Sequence, residues 1–240
     1  MSQRLIQDDE RWPAFVRRYA NDLAAFAREV CGMEVDEQLA RAFENVQMPD
    51  CRVSMASDLN SMQPGVISPL APIAFWRLLC RPESLTMVAA PFGDMLRCCE
   101  RYSGLVKSFV GANSWALEYL RLSSSTMMLK QQGQFSGAGV RFMAASEHYP
   151  ERMAGFCGRD VMWLMEDASA MAAVSFQVVR EGLNLCGDGG MVLHSGRGLR
   201  KGFFRETQTT LSCRASGSNW KAFVLNATQD RKPSLKVRQA

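Results

Sequence analysis

The segment VMWLMEDASAM, residues 161–171, ends an apolar run with two adjacent carboxylates, Glu166 and Asp167. Such a run is typical of a buried parallel strand, and acids that follow it lie at the carboxyl edge of the sheet. There one carboxylate can hold Mg²⁺ while the other activates a water molecule. The usual order in such sites is Asp then Glu, whereas this chain has Glu then Asp. The segment therefore predicts either a nucleotide-hydrolysing site or an altered remnant of one.

The composition is that of an ordinary globular protein. The chain has 240 residues, of which 47% are hydrophobic and 22% are charged. It contains no run of apolar residues long enough to cross a membrane, and its polar, acidic start does not resemble a signal peptide. Eight cysteines and two histidines show no metal-ligand spacing, so we expect no metal site of that kind.

Strand-like and helix-like segments alternate along the chain. Apolar residues at helical spacing predict helices over 12–31 and 36–46, the second beginning at Asp36. Strands are predicted at 51–56, 84–91, 160–166 and 189–196, and helices at 73–80, 93–110 and 172–183. This alternation favours an α/β fold with a mainly parallel central sheet covered on both faces.

Several segments, in order, resemble one family. DLAAFAREVCGMEVDEQL, TMVAAPFGDMLR, SEHYPERMAGFCGRDVMWLMEDASAM and MVLHSGRGLRKGFF are similar to conserved segments in the ATPase domain of phage terminase large subunits. The resemblance spans roughly residues 20–205. It implies a P-loop NTPase-like (ASCE-type) three-layer sandwich with an N-terminal helical extension. It also implies three regions: packed helices at 1–50, the ATPase core at 51–205, and a basic segment at 206–240 whose end is expected to be flexible.

The resemblance places the phosphate-binding loop on ASDLNSMQP, where the residue types are wrong for phosphate. Such a loop needs glycines, a Lys for the phosphates and a Ser or Thr for Mg²⁺. Gln63 stands in place of the Lys and Pro64 in place of the Ser or Thr, while Asp58 adds negative charge. We expect the following helix to begin near Pro72. The altered loop positions are Ser57, Asp58, Asn60, Gln63 and Pro64.

Other family positions are also altered. Ser195, Gly196 and Arg197 fall where the family has its coupling motif, and Gln38 falls where the family reads adenine, without the usual aromatic residue. The resemblance thus implies a nucleotide site that has lost its chemistry. We expect no bound cofactor, with ATP and Mg²⁺ required only if the chain is still an ATPase. The segment after the ATPase core lacks an apolar strand ending in acids, so we expect no nuclease domain.

Charge is distributed unevenly. Residues 195–240 contain ten Lys or Arg against Glu206 and Asp230, whereas the first 194 residues contain 18 basic and 22 acidic residues. A basic end on an acidic body indicates either a polyanionic or acidic partner or a solvated tail. The candidate contacts to nucleic acid or a partner are Arg197, Arg200, Lys201, Arg205, Lys221, Arg231 and Lys232.

Three functions remain open at this point. The first is a terminase-like pseudo-ATPase that serves viral or prophage DNA packaging as a structural, regulatory or DNA-recognising component. The second is a divergent ATPase that uses Glu166 and Asp167 with a cation supplied from elsewhere. The third is a nucleic-acid-binding module whose aromatics, Phe203, Phe204, Trp220 and Phe223, stack on bases or pack in the core.

Partners and location follow from the resemblance. It implies packaging motor subunits or a portal as partners, with DNA as a further candidate, in a homo- or hetero-oligomer without a membrane. It also implies the cytoplasm of an infected bacterial host, with association with the virus particle as an alternative.

Overall fold

A computed structural model describes residues 5–57, 67–130, 138–196, 202–213 and 217–225. Within them, helices and strands alternate along most of the chain. In order, the elements are α1 (Trp12–Tyr19), α2 (Leu23–Glu29), α3 (Glu37–Val46), β1 (Arg52–Ser57), α4 (Leu70–Cys80), β2 (Leu85–Pro91), α5 (Met95–Ala112), β3 (Leu120–Leu122), β4 (Thr126–Leu129), β5 (Gly139–Ala145), β6 (Asp160–Glu166), α6 (Ala173–Leu183), β7 (Asp188–Gly196), α7 (Phe203–Gln208) and β8 (Lys221–Leu225).

The described strands form one sheet in the order β3-β4-β5-β2-β6-β7-β1-β8. Strands β5, β2, β6, β7, β1 and β8 run parallel, and β3 and β4 add an antiparallel ribbon at one edge. Strand β7 lies between β1 and β6, so the carboxyl ends of these three strands are adjacent. The mainly parallel α/β sheet predicted from the alternating pattern is confirmed.

Helices α3, α4 and α5 pack on one face of the sheet, and α1 and α2 pack on these helices. The aromatic rings of Phe26, Phe75 and Phe109 pack edge to face within this helical layer. Two helix starts are fixed by aspartates: the Asp22 carboxylate accepts from the Ala25 N–H and that of Asp36 from the Leu39 N–H, each at 2.8 Å. The helix start predicted at Asp36 is confirmed, since this side chain satisfies a free N–H group.

Helices α6 and α7 pack on the other face. Phe176 and Val179 of α6 are buried against the sheet, and Phe204 of α7 joins them. Close approach of α6 to β7 requires glycine, because a Cβ added at Gly189 would lie 2.9 Å from the Leu183 carbonyl oxygen. The helical layers on both faces complete the predicted three-layer sandwich.

A buried ion pair connects the first helical layer to the amino edge of the sheet. The Arg77 side chain, on α4, is 2% exposed and donates to Asp160 at 2.5 Å and to the Thr86 hydroxyl at 2.9 Å. Arg81 reaches the other carboxylate oxygen of Asp160 at 3.4 Å. A buried guanidinium requires such partners, because an unpaired charge in the interior is costly.

The start of α4 differs from the prediction. The helix begins at Leu70 rather than near Pro72, with Pro69 before its first residue. Proline is tolerated there because the first N–H groups of a helix have no carbonyl partner inside it. Of the predicted phosphate loop, residues 56–64, Ala56 and Ser57 belong to the end of β1, and residues 58–64 lie outside the described part of the chain.

The sheet also continues past the boundary predicted at residue 205. That boundary falls inside α7, and β8 pairs in parallel with β1, with Val53 opposite Lys221. Trp220, just before β8, and Leu225, at its end, are buried. None of the helices in the described ranges has the length and apolar character that spanning a bilayer requires.

Candidate functional site

The carboxyl ends of β1, β6 and β7 bring together residues that are far apart in sequence. Glu166 of β6 lies opposite His194 of β7, and Ser57 ends β1 opposite Gly196. Side chains alternate between the two faces of a sheet, so residues that pair in register point to the same face. Glu166, His194 and Ser57 therefore share the face covered by α5.

A chain of polar contacts runs through these residues. The Tyr102 hydroxyl, on α5, donates to Glu166 Oε1 at 2.6 Å, and Ser57 Oγ lies 3.0 Å from His194 Nε2. Glu166 Oε2 and His194 Nδ1 are 3.6 Å apart, and neither atom has a hydrogen-bond partner among the described residues. Glu166 is 0% and His194 1% exposed. The first acid of the predicted pair is thus enclosed by protein.

Burial and neighbouring groups act in opposite directions on Glu166. Burial raises the pKa of its carboxyl group. His194 and the hydroxyls of Ser68 and Tyr102 lower that pKa by more than burial raises it, so the net pKa lies below the ordinary value of 4.5. The pKa of the Tyr102 phenol lies well above its usual value, because of burial and the negative charge of Glu166. Glu166 is therefore an ionised, buried hydrogen-bond acceptor, and Tyr102 remains its neutral donor.

Asp167 belongs to a different group of side chains. It follows β6 in a left-handed conformation with φ of 48°, which is uncommon outside glycine. Its Oδ1 accepts from the Ser195 hydroxyl at 2.7 Å and from the Ser169 hydroxyl at 3.3 Å, and the two hydroxyls also contact each other. Asp167 thus bonds to Ser195, whose side chain points to the face opposite that of Glu166.

The donor set does not fit a magnesium ion at Glu166. Mg²⁺ binds oxygen ligands in octahedral geometry and keeps several waters. One oxygen of Glu166 accepts from Tyr102, the other faces His194, and the residue has no exposed surface. Among the residues that the structure describes, no group of three or more His, Cys, Asp or Glu is placed to hold a metal.

The other residues predicted for the site are dispersed or lie outside the described ranges. Ser195 is buried beside Asp167, Gly196 ends β7, and Gln38 is exposed on the first turn of α3. Arg205 of α7 and Lys221 of β8 are exposed. The positions outside the described part of the chain are Asp58, Asn60, Gln63, Pro64, Arg197, Arg200, Lys201, Arg231 and Lys232.

Sequence reasoning missed Tyr102 and did not include His194 among the candidate site residues. A signal for Tyr102 is present, because Cys98, Tyr102 and Val106 recur at intervals of four on the apolar side of α5. A tyrosine on an apolar helix side needs a partner for its hydroxyl. The pattern does not say which residue that partner is.

The aromatic residues predicted as alternatives for base stacking are packed. Phe204 is 4% and Trp220 is 5% exposed, and Phe203 contacts both Phe176 and Trp220. Phe203 and Phe223 are half-buried and pack against the core, as the core-packing alternative predicted, so the four aromatics do not form one exposed stacking surface.

The whole architecture can be compared with known proteins. No protein-family model matches the chain, and no curated protein sequence matches it. Solved structures do match the chain by their fold. A Thermus phage P74-26 large terminase ATPase domain, solved as an arginine-to-alanine mutant, is 16% identical with a TM-score of 0.53, covering 83% of this chain and 84% of that one. The chain has the fold of phage large terminase ATPase domains.

A second structure supports this terminase fold. The HK97 bacteriophage large terminase is 11% identical with a TM-score of 0.61, and the match covers 92% of this chain. This chain spans 49% of the length of that protein. Glu166 ends β6, Asp167 follows it, and β7 separates that strand from β1.

Proposed function

We propose that this chain is a terminase-type pseudo-ATPase that serves phage DNA packaging as a structural, regulatory or DNA-recognising component. The observation that carries the proposal is the state of Glu166. It has no exposed surface, and one of its oxygens accepts a 2.6 Å bond from Tyr102. An acid that holds a hydrated metal or positions water needs an oxygen that the metal and water can reach, and Glu166 exposes no such oxygen.

The sequence of the loop supports the same proposal independently. Gln63 and Pro64 replace the residues that hold phosphate and Mg²⁺ in such loops, and Asp58 brings a negative charge. Each lost charged contact to phosphate weakens nucleotide binding by roughly ten- to a hundredfold. The loop sequence and the enclosure of Glu166 thus each remove something that nucleotide hydrolysis needs.

Partners are proposed from the fold and from the charge. The proposed partners are subunits of a packaging motor or a portal, in a homo- or hetero-oligomer, with DNA as a further partner through the basic residues after 195. If DNA binds there, deleting residues 229–240 or neutralising Arg197, Arg200 and Lys201 weakens binding, and the effect shrinks as salt rises. Binding that is insensitive to salt contradicts a DNA contact of this kind.

The deciding experiment measures turnover and binding on the same preparation. Purified protein is incubated with ATP and Mg²⁺ in a phosphate-release assay, and the same ligand is titrated by calorimetry into wild type and Asp167→Ala. We expect no phosphate release above the buffer rate and no binding heat that depends on Asp167. Turnover that disappears in Asp167→Ala overturns the proposal.

A divergent ATPase is the alternative that this experiment separates. It requires a cation supplied from elsewhere, and if a neighbouring subunit supplies it, turnover rises with protein concentration as subunits assemble. The assay is therefore repeated over a range of concentrations, with the oligomeric state measured by light scattering. Phosphate release that appears only in the assembled protein favours this alternative over the pseudo-ATPase.

A further inference from the structure

An open cleft of about 760 Å³ lies at the amino edge of the sheet, at the opposite end of the strands from Glu166. One wall is the last part of α6, another is the segment before β8, and Arg52 at the start of β1 lies between them. Its volume is in the range of small-molecule sites. The polar lining includes Arg52, Gln177, Arg180, Asn184, Ser218 and Asn219.

Arg52 is half-buried and uses only part of its guanidinium within the protein. Its Nη1 donates to the carbonyl oxygens of Asp50, at 3.2 Å, and Cys51, at 3.0 Å, and to that of Gly189. Within the described ranges, Nε and Nη2 of Arg52 make no hydrogen bond. Both atoms are also absent from the set of buried polar atoms without a partner, so they reach the surface. These donors are therefore accessible on a side chain whose position is fixed by backbone carbonyls.

Arg180 is held beside the same cleft by stacking. Its guanidinium lies 5.4 Å from the centre of the Phe203 ring, and Phe203 packs against Trp220, which also lines the cleft. Stacking leaves the N–H groups at the edge of a guanidinium free to bond in its own plane. The described residues accept no hydrogen bond from the Arg180 side chain and form no ion pair with it.

The nearby carboxylates accept hydrogen bonds from groups other than the two arginines. Glu181, the acid that lines the cleft, accepts from the Gln177 amide at 3.0 Å. The Asp50 carboxylate accepts from the Gly189 N–H and that of Asp188 from the Asp50 N–H.

The pKa of Arg52 reflects its burial and the charges around it. Burial lowers the pKa of its guanidinium and the charge of Arg180 acts in the same direction, whereas Asp50 and Asp188 raise it. Two arginines thus share a cleft, and no described residue pairs either of them with a carboxylate.

We propose that this cleft binds the phosphate of a nucleotide, either free or within a nucleic-acid strand. Two guanidinium groups with free in-plane donors match phosphate oxygens in paired hydrogen bonds. The amides of Asn184 and Asn219 offer both donors and acceptors to a sugar or base. The site is separate from the edge that carries Glu166 and Asp167, and no hydrolysis is proposed there.

The test compares charge-matched variants of the full chain. Arg180→Gln is the main variant, because that side chain is exposed and makes no hydrogen bond to described residues. Arg52→Gln is the second, with its melting temperature measured alongside, because Arg52 supports backbone carbonyls. Arg121→Gln is the control, since it removes the same charge from an exposed residue of β3, at the other end of the sheet.

Binding is measured with ADP by calorimetry and with a labelled single strand of about 20 nucleotides by fluorescence anisotropy. We expect Arg180→Gln to weaken binding by about tenfold or more and Arg121→Gln by less than about twofold. Dependence on Arg180 for ADP identifies a free nucleotide as a ligand, and dependence for the oligonucleotide alone identifies a strand.

Other outcomes overturn the proposal. They are the absence of binding by either probe at millimolar concentration, equal loss in all three variants, and tighter Arg180-dependent binding of a polyglutamate peptide than of either probe. The result does not depend on the proposed pseudo-ATPase function, because turnover is read separately by phosphate release. Binding heat with ATP that is lost in Arg180→Gln belongs to this cleft.

Discussion

At the scale of single residues, Glu166 is a carboxylate whose surroundings limit the chemistry available to it. Its charged form is maintained by Tyr102, Ser68 and His194 against the cost of burial. These contacts enclose both carboxylate oxygens within the protein. A carboxylate whose pKa is lowered on folding contributes to folding stability.

Glu166 predicts a defined dependence of stability on pH. Its pKa in the folded protein is below the ordinary 4.5, so the unfolded chain binds more protons as the pH falls. Its contribution is fully present above pH 4.5 and is lost as the pH falls through the folded pKa. We expect wild type to exceed Glu166→Gln in the free energy of unfolding at about pH 7, and this gap to narrow toward about pH 4. Urea denaturation at both pH values measures the gap.

The control for this experiment is Glu147→Gln, which changes an exposed glutamate in the loop after β5. A surface carboxylate contributes little, so the control should stay close to wild type at both pH values. A gap between wild type and Glu166→Gln that does not change with pH contradicts the assignment of a lowered pKa.

At the scale of helices and strands, close packing of α6 on β7 depends on glycine. The start of β7 reads DGG, and a Cβ at Gly190 would lie 2.9 Å from Met162 Cε and 3.0 Å from Cys51 Sγ. A flexible methionine can move, whereas the Leu183 carbonyl facing Gly189 belongs to the backbone of the helix end. Gly189 is therefore the position where substitution displaces a whole element.

We expect Gly189→Ala to lower the free energy of unfolding by about 1–3 kcal/mol, because the added methyl group overpacks the α6–β7 contact. Gly182→Ala is the matched control. Gly182 lies in α6 with nothing within 4 Å of the added atom, so alanine should raise stability by about 0.5–1 kcal/mol through its better helix propensity. Chemical denaturation of both variants gives the comparison, and equal effects would contradict this account of the packing.

Most helices and strands were predictable from strong sequence patterns, and elements with weak patterns were not. Strand β6 is a long apolar run, β7 contains the apolar stretch MVL between glycines and polar residues, and the Asp36 side chain marks the start of α3. Strand β8 has only five residues in a region dominated by basic and polar side chains, so composition concealed it. In the site, Glu166 and Asp167 were found from the end of their strand. The Tyr102 partner of Glu166 was not, because that contact depends on how α5 packs across the sheet.

At the scale of the whole molecule, Arg77 connects three elements at the edge opposite the candidate site. It lies on α4 and bonds to Thr86 of β2 and to Asp160 of β6. Apolar packing gives little directional information, whereas a buried guanidinium has few satisfactory positions. The pair thus constrains how the first helical layer sits on the sheet.

Arg77→Ala should cost about 3–5 kcal/mol of folding free energy, because Asp160 then loses its main cation. Arg81→Ala is the matched variant. The Arg81 side chain is 34% exposed and 3.4 Å from the same carboxylate, and its loss should cost about 1 kcal/mol or less. Thermal and urea unfolding followed by circular dichroism measure both, and a cost for Arg81→Ala as large as that for Arg77→Ala would contradict this ranking.

The position of β1 has a consequence for how the protein is made. Val53 pairs with Val192 on one side and Lys221 on the other, so both neighbours of β1 come from the last quarter of the sequence. During synthesis β1 therefore leaves the ribosome long before either neighbour exists, with a gap of roughly ten to thirty seconds before β8 at typical elongation rates. Throughout that time an apolar strand with two open edges can pair with the wrong chain, and the yield of native protein depends on what shields it.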